Sequence, residues 1–504
     1  MKRIFVLILA AVTLMISHSY SQTFPAIPAA QTVLLPIKED PTICFRIWFK
    51  VGSQNDPAGK EGLAQLTASL IAEGATKKNG YSTILEKLYP IASSYGASVD
   101  KEMTVISGRT HGDNLELFYG LLKEAILEPA FDVSDFTRIK TQMINNIEKN
   151  LRYSSDEELG KAALYDDIFK GTAYGHLNAG TVAGLQSITQ ADVRKFYQTH
   201  FIRENIMIAL GGGFTDAFVK RMRTDFALLP TGTPESVPKP EPKKISGKHV
   251  LLVDKKTDAT AISFGFPIPV LRGSKDYYAL WIANSWFGEH RNSSSHLYQV
   301  IREVRGMNYG DYSYIEIFPN GGARQMPPAN VARRQQLFEV WIRPVPNATR
   351  HFALRAAMRE LQQLVQNGLT QEQFELTRKF LRNYCLHFAP TTMEQLGYKM
   401  DDVFYGISGS HLVNFRKMMS ELTLKDVNDA IKKYLQFRDM KIAIVTSGAE
   451  QFAKELAADA ASPMKYATPK SDEVLKEDSL IEKFPLAIQV DRITIVPVDQ
   501  MFAK

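Results

Sequence analysis

Apolar and polar positions divide this chain into two runs with the same plan. In the first, Thr32-Val-Leu-Leu and Cys44-Phe-Arg-Ile-Trp-Phe predict strands; in the second, His249-Val-Leu-Leu-Val and Ala261-Ile-Ser-Phe-Gly-Phe do so. Each pair is followed by a helix, more strands and a long amphipathic helical region. Phe136-Thr-Arg-Ile-Lys falls where Phe374-Glu-Leu-Thr-Arg falls, and Ile188-Thr-Gln-Ala-Asp-Val matches Leu422-Thr-Leu-Lys-Asp-Val. Thr189 and Thr423 suit helix N-caps, because a hydroxyl there accepts from an otherwise unpaired backbone N–H. The apolar strands Ile206-Met-Ile-Ala-Leu and Ile442-Ala-Ile-Val end the two runs. Matched order at similar spacing points to internal duplication within an α+β fold.

A proline-rich, polar stretch without periodicity predicts an exposed, semi-rigid linker over residues 229–247. It separates an N-terminal domain, residues 22–228, from a C-terminal one, residues 248–461. Residues 462–504 form an extension: a loop from Ser462, then one or two strands within Ile488-Gln-Val-Asp-Arg-Ile-Thr-Ile-Val-Pro-Val. At 504 residues the chain exceeds what one core holds, and length alone suggests about three or four domain-sized units.

Composition is that of a folded globular chain, 45% hydrophobic and 23% charged. The net charge of +6 is slight and spread out, which gives nucleic-acid binding little support. Residues 1–21 carry Lys2 and Arg3, an apolar core from Ile4 to Ile16, and small Ser19 and Ser21 before Gln22. That pattern predicts a secretory signal and an exported, periplasmic or extracellular protein, with an uncleaved anchor as the other reading. Cys44 and Cys385 fall in different halves and are expected as buried free thiols.

The stretch Gly62-Leu-Ala-Gln-Leu-Thr-Ala-Ser-Leu-Ile-Ala-Glu-Gly74 lies between extended Phe45-Arg-Ile-Trp-Phe-Lys-Val-Gly-Ser and Gly74-Ala-Thr-Lys-Lys. This setting resembles the zinc-helix region of the pitrilysin/insulinase peptidases. The resemblance extends over roughly residues 28–450. It includes Leu159-Gly-Lys-Ala-Ala-Leu, the Ala173-Tyr-Gly-His-Leu-Asn-Ala-Gly-Thr181 turn and Gly211-Gly-Gly213 after a strand. Those enzymes write His-x-x-Glu-His on the helix, two zinc ligands and a general base. Here the matching positions are Gln65, Ala68 and Ser69. The window for the family's third ligand, a glutamate, holds Asn145, Asn146 and Glu148, and a lone carboxylate does not hold zinc. No two of the ten histidines are four apart; His290 and His296, with Glu289, are the nearest set and are expected to be solvated.

Ser293-Ser-Ser-His-Leu-Tyr-Gln-Val-Ile-Arg-Glu-Val-Arg-Gly-Met-Asn-Tyr309 resembles the family's second-half signature, in which an Arg and a Tyr lie seven residues apart. Leu297, Ile301 and Val304 are expected on one helical face, Asn292 or a following Ser at its start, and Gly306 at its left-handed end. Arg302 then sits in the last turn and Tyr309 at the start of the next strand, directed into the same space. The resemblance implies that these two contact peptide substrate, the guanidinium by charge-assisted hydrogen bonds and the phenol at the scissile oxygen. It implies two halves, each an antiparallel sheet with packed helices, closing as a clamshell on an extended peptide. Without metal or catalytic group in cis, the chain is expected to be the partner of a zinc-motif-bearing subunit in a heterodimer. The alternatives are a scaffold or peptide-binding subunit, and a free-standing zinc peptidase with unrecognised ligands.

Overall fold

The structure is a computed structural model and describes residues 25–319 and 326–504. The expected signal, residues 1–21, lies outside the described residues.

The first half runs β1 (Thr32–Pro36), β2 (Thr42–Phe49), α1 (Leu63–Glu73), α2 (Tyr81–Leu88), β3 (Ser94–Val99) and β4 (Thr104–His111). Helices α3 (Leu115–Leu127), α4 (Val133–Asn145), α5 (Asp156–Phe169), α6 (Val182–Ser187) and α7 (Gln190–His200) follow. Strand β5 (Ile206–Gly212) and helix α8 (Asp216–Asp225) complete it. The second half repeats the order with β6 (Lys248–Asp254), β7 (Ala259–Ile268), α9 (Lys275–Gly288), β8 (Asp311–Tyr314) and β9 (Gln336–Pro346). Then come α10 (Arg350–Asn367), α11 (Gln371–Tyr384), α12 (Thr392–Tyr405), α13 (His411–Glu421) and α14 (Leu424–Tyr434). Strand β10 (Met440–Thr446) and helix α15 (Ala449–Ala457) end the repeat; α16 (Asp472–Ile481) and β11 (Ile493–Pro497) lie beyond it.

Strand order confirms the duplication. The first sheet is β1-β5-β2-β4-β3, and the second is β6-β10-β7-β9-β8 with β11 added outside β6. Neither sheet is wholly antiparallel, since β5 runs parallel to β1, and β10 and β11 run parallel to β6. The helices between β4 and β5, and between β9 and β10, give the chain the long crossover that parallel pairing requires. Thr189 and Thr423 cap α7 and α14, each in a reciprocal capping box with the aspartate three residues on. Residues 229–247 carry no regular element.

The halves are interlocked by exchanged helices. Helix α5 of the first half packs on β7 and β10 of the second, and α12 of the second packs on β1, β2 and β5 of the first. Leu396 and Met400 of α12 bury Val33, Cys44, Trp48 and Ala209. Val253, Ala261, Ala443 and Val445 of the second sheet join the first half's core around α5. Central strands are therefore covered on both faces, and every residue of β5 is buried. This is why they read as continuous apolar runs rather than alternations. The C-terminal extension ties the halves again. Beyond β11, the Phe502 and Ala503 carbonyls accept from the Val182 and Ala183 amides at 3.0 Å, and Met501 O accepts from Arg152 Nε at 2.9 Å. Cys44 and Cys385 are buried and free.

Candidate functional site

Helix α1 forms where the zinc helix was expected. Gly62, with φ +103°, precedes it, and the Asp56 carboxylate accepts from the Gly62 and Ala64 amides at 2.8 and 2.7 Å. Burial pushes the Asp56 carboxyl up to about 7. Ala68 is fully buried and Ser69 nearly so. Gln65 Nε2 donates to Ser69 Oγ at 3.1 Å, one helical turn away. Two of the three motif positions thus satisfy each other, and the third is a methyl packed in the core. Asn146 is exposed, in a wide π-type turn over Asn146–Leu151, and its Oδ1 accepts from Asn150 at 3.1 Å; Glu148 is half-buried. Zinc needs three or four nitrogen, sulfur or carboxylate donors, and a carboxamide, a methyl and a hydroxyl do not meet that need. Among the described residues, no three His, Cys, Asp or Glu side chains are grouped to hold a metal ion.

The second-half segment occupies the place of α2 in the repeat, but as a wide π-helical turn over Tyr298–Glu303. Widening alters the buried face. Leu297 and Ile301 are fully buried as expected, whereas Val304 is exposed and Arg305 takes the buried position. Arg305 is held there by Asp478 and Glu477 of the extension, each at 2.8 Å. Asn292 does not cap the helix itself; its Oδ1 accepts from the Ser294 amide at 3.1 Å, in the turn before it. Gly306 adopts φ +68°, as expected for the left-handed end.

Arg302 is paired with Glu303 and lies 4.8 Å from the Tyr298 ring centroid, while its Nε has no hydrogen-bond partner. Tyr309 is 77% exposed and sits before β8 rather than in it. Asn308 explains this: its Nδ2 donates to Asp311 Oδ1 at 2.8 Å and Arg343 O at 2.9 Å, and its Oδ1 accepts from the Gly310 amide at 3.1 Å. The resulting turn keeps Tyr309 out of the ladder. Of the two histidines expected to be solvated, His290 is buried and His296 is partly exposed. His290 is buried among Tyr312, Tyr314, Phe318 and Trp341, and its Nδ1 is 2.7 Å from the Tyr314 hydroxyl. His296 stacks on Trp286 and lies 2.7 Å from Glu360. The aromatic side chains around His290 exclude water from it, whereas His296 stays partly exposed.

Between the halves lies a polar cleft of about 1060 Å³, lined by Asp56, Asp166, His176, Lys441 and Arg492 among others. Gln65, Ala68, Ser69, Asn146, Arg302 and Tyr309 do not line it. Asp166 and His176 also line a smaller cavity of about 300 Å³ with Lys101, Arg333 and Glu339. Beside it, Arg333 Nε donates to Asp100 Oδ2 at 2.6 Å and its Nη2 to Oδ1, while Arg334 pairs with Glu102. Burial, with the Arg333 charge second, pushes Lys101 down to about 7. Burial and then Lys101 push His176 down to about 4, and burial raises Asp166 to about 6. Sequence reasoning passed over these residues. Asp100-Lys-Glu102 joins β3 to β4, and its burial comes from remote segments: Tyr174, His176 and Asn178 of the first half, and Arg333 and Arg334 of the second.

Fold and site together define a duplicated α+β peptidase scaffold whose zinc-helix positions hold no metal donors. The comparisons agree. The Insulinase (Peptidase family M16) model matches residues 32–181, and the Peptidase M16 inactive domain model matches residues 187–381. The chain belongs to the M16, or pitrilysin/insulinase, family. It is similar to the Helicobacter pylori "Non-peptidase homolog YmxG", at 22% identity covering 79% of this chain and 88% of that one. It is also similar to an uncharacterised zinc protease of Mycobacterium tuberculosis, at 22% identity covering 79% and 87%. A solved peptidase M16 inactive domain from Pseudomonas fluorescens superposes with a TM-score of 0.73, at 21% identity covering 84% of this chain and 98% of that one.

Proposed function

We propose that this chain is the zinc-free, substrate-binding subunit of an exported M16 peptidase, working beside a second chain that carries the zinc motif. The observation that carries the reading is the contrast between the two sites. The motif helix is kept but its polar positions bond each other, whereas Arg302 and Tyr309 remain on the outside, Tyr309 largely exposed. Neither residue lines the cleft between the halves, so a chamber that uses them takes its opposite wall from another chain. Arg302 would then bind carbonyls of an extended peptide, and Tyr309 the scissile oxygen, while metal and base come from the partner. Main-chain pairing along a strand edge would supply most of the peptide affinity.

A scaffold role is the second reading, favoured by two contacts: Glu303 and Tyr298 already engage the Arg302 guanidinium within the chain. The test is to purify the mature protein alone and together with a zinc-motif relative, then to measure bound zinc and peptide cleavage. The partner reading expects neither property in the single chain and both in the pair, with cleavage falling on Arg302→Ala. Stoichiometric zinc and cleavage from this chain alone would overturn it, and a pair indifferent to Arg302→Ala would leave the scaffold.

A further inference from the structure

Lys101, in the turn between β3 and β4, is a buried lysine without a counter-ion. It is 1% exposed, gives one hydrogen bond, to the His176 carbonyl, and forms no ion pair among the described residues. The acids around it bind other groups or keep beyond ion-pair distance. Asp100 holds Arg333 through both oxygens, and Asp56 accepts from the Gly62 and Ala64 amides. Asp166 on α5 lines the same cavity without pairing with it. The His176 ring is turned away, its Nδ1 2.8 Å from the Leu177 carbonyl oxygen. The remaining charge, Arg333, is a like one. A buried ammonium without a carboxylate is costly, which favours the free amine. Burial first and the Arg333 charge second bring Lys101 down to about 7, against about 10.4 for an ordinary lysine. An amine desolvated beside a second cation is a nucleophile.

The cavity that Lys101 lines, about 300 Å³, is at the lower end for small-molecule sites. Two buried donors on it have no hydrogen-bond partner, the Tyr165 hydroxyl and Nη1 of Arg333. The Arg333 guanidinium lies 4.6 Å from the Tyr165 ring centroid, so the two donors are neighbours. A carbonyl oxygen, with two lone pairs, takes a hydrogen bond from each. Asp166, which burial raises to about 6, can both give and take a proton near neutral pH. Leu177, Ile317 and Phe318 supply apolar wall. Charge disfavours an acid as the ligand. Glu158, Asp166 and Glu339 line the cavity against Lys161 and Arg333, and Arg333 is already paired with Asp100.

We propose that Lys101 captures a small, uncharged aliphatic aldehyde in this cavity as an imine. The Nζ lone pair attacks the aldehyde carbon and forms the N–C bond, while the C=O π pair moves to the oxygen, held by Arg333 Nη1 and the Tyr165 hydroxyl. Asp166 carries a proton from nitrogen to oxygen, which gives the carbinolamine. Asp166 then protonates the hydroxyl, which leaves as water as the nitrogen lone pair forms the C=N bond, and the remaining N–H proton returns to Asp166. One amine and one aldehyde give one imine and one water, and no oxidant or reductant takes part. Asp166 and His176 also line the larger cleft, which makes that cleft the way in. Arg302 and Tyr309 do not line the cavity, so the outcome is independent of the partner reading.

The test is reductive trapping of the full chain with butanal and cyanoborohydride, read by peptide mapping of every alkylated lysine. At pH 7 about half of the Lys101 amine is neutral, against about 0.04% of an ordinary lysine, so Lys101 should be alkylated at least tenfold faster than the exposed lysines. That excess should shrink by about an order of magnitude or more at pH 9, because only the exposed lysines gain much neutral amine. 4-Oxobutanoate, the same chain ending in a carboxylate, should lose the preference for Lys101. Asp166→Asn, checked for a parent-like melting temperature, should slow labelling at Lys101 at least tenfold and leave the exposed lysines unchanged. A Lys101 that is labelled no faster than the exposed lysines, or with their pH dependence, would overturn the proposal. So would an equal preference with 4-oxobutanoate, or an Asp166→Asn protein that reacts like the parent. Should that variant fail to fold, the two aldehydes and the pH profile on the parent chain decide alone.

Discussion

Replacing Asp100 by alanine tests how the halves are joined. Its carboxylate takes two hydrogen bonds from Arg333 and one from Asn178 Nδ2 at 2.8 Å, and both members of the ion pair are under 5% exposed. Water cannot resolvate Arg333 when its partner is removed, and one guanidinium nitrogen already lacks a partner. Breaking a buried pair from one side costs about 3–5 kcal/mol, whereas replacing both partners with apolar residues is often neutral. Asp100→Ala should therefore lose about 4 kcal/mol, and Asp100→Leu with Arg333→Met should recover most of it. Urea unfolding followed by tryptophan fluorescence reads both halves, because Trp48 lies under α12 while Trp341 lies under Lys161 of α5. Acid gives an independent check. Burial acts to raise the Asp100 pKa, but the Arg333 charge and hydrogen bonds outweigh it, so the carboxyl titrates below its usual range. Its contribution is thus complete above the unfolded value of about 3.9 and disappears as pH falls through the folded one. A loss under about 1 kcal/mol for Asp100→Ala, or a double variant as unstable as the single, would refute the argument.

Tyr309→Phe removes only an exposed hydroxyl, so stability should change by less than about 0.5 kcal/mol. In a preparation paired with a zinc-bearing subunit, cleavage should fall by about a hundredfold or more if the phenol meets the oxyanion. Glu289 is buried, accepts from Ser285 Oγ at 2.7 Å, keeps Oε1 unpartnered and is pushed up to about 7 by burial. Between an unfolded value of about 4.3 and that one, the folded state holds a proton the unfolded state has lost, so stability falls as pH rises. Glu289→Gln should remove that slope and gain on the order of 3 kcal/mol at pH 8 relative to pH 4, read by denaturant midpoints at both pH values. Phe502→Ala, at the buried end of the chain, should cost about 3 kcal/mol by the same assay and raise proteolysis near Val182, whose amide bonds the Phe502 carbonyl.

Local signals in the sequence carried most of the fold. Capping residues, apolar runs and the proline-rich break located the repeat, because each depends on neighbours within a few positions. The parallel edges were not legible, since strand direction depends on crossovers rather than on residue pattern. At the candidate site, Gln65, Ala68 and Ser69 could be read from identity alone: donor chemistry does not depend on packing. The face of the Arg302 segment could not. One additional residue per turn moved Val304 out and Arg305 in, and the acids that hold Arg305 come from the far extension. The histidine environments and the Lys101 cavity escaped for the same reason, being assembled from segments remote in the chain.

The exchange of α5 and α12 has a consequence for synthesis. A nascent chain that has reached only the proline-rich stretch has its first five strands but not Leu396 and Met400, the cover for one face of that sheet. That face stays greasy and open until the ribosome has passed about another hundred and sixty residues, an interval in which paired strands are most exposed to sticking. Neither half is thus a free-living module, and a gene cut at the linker should yield fragments that find their shape only in each other's company.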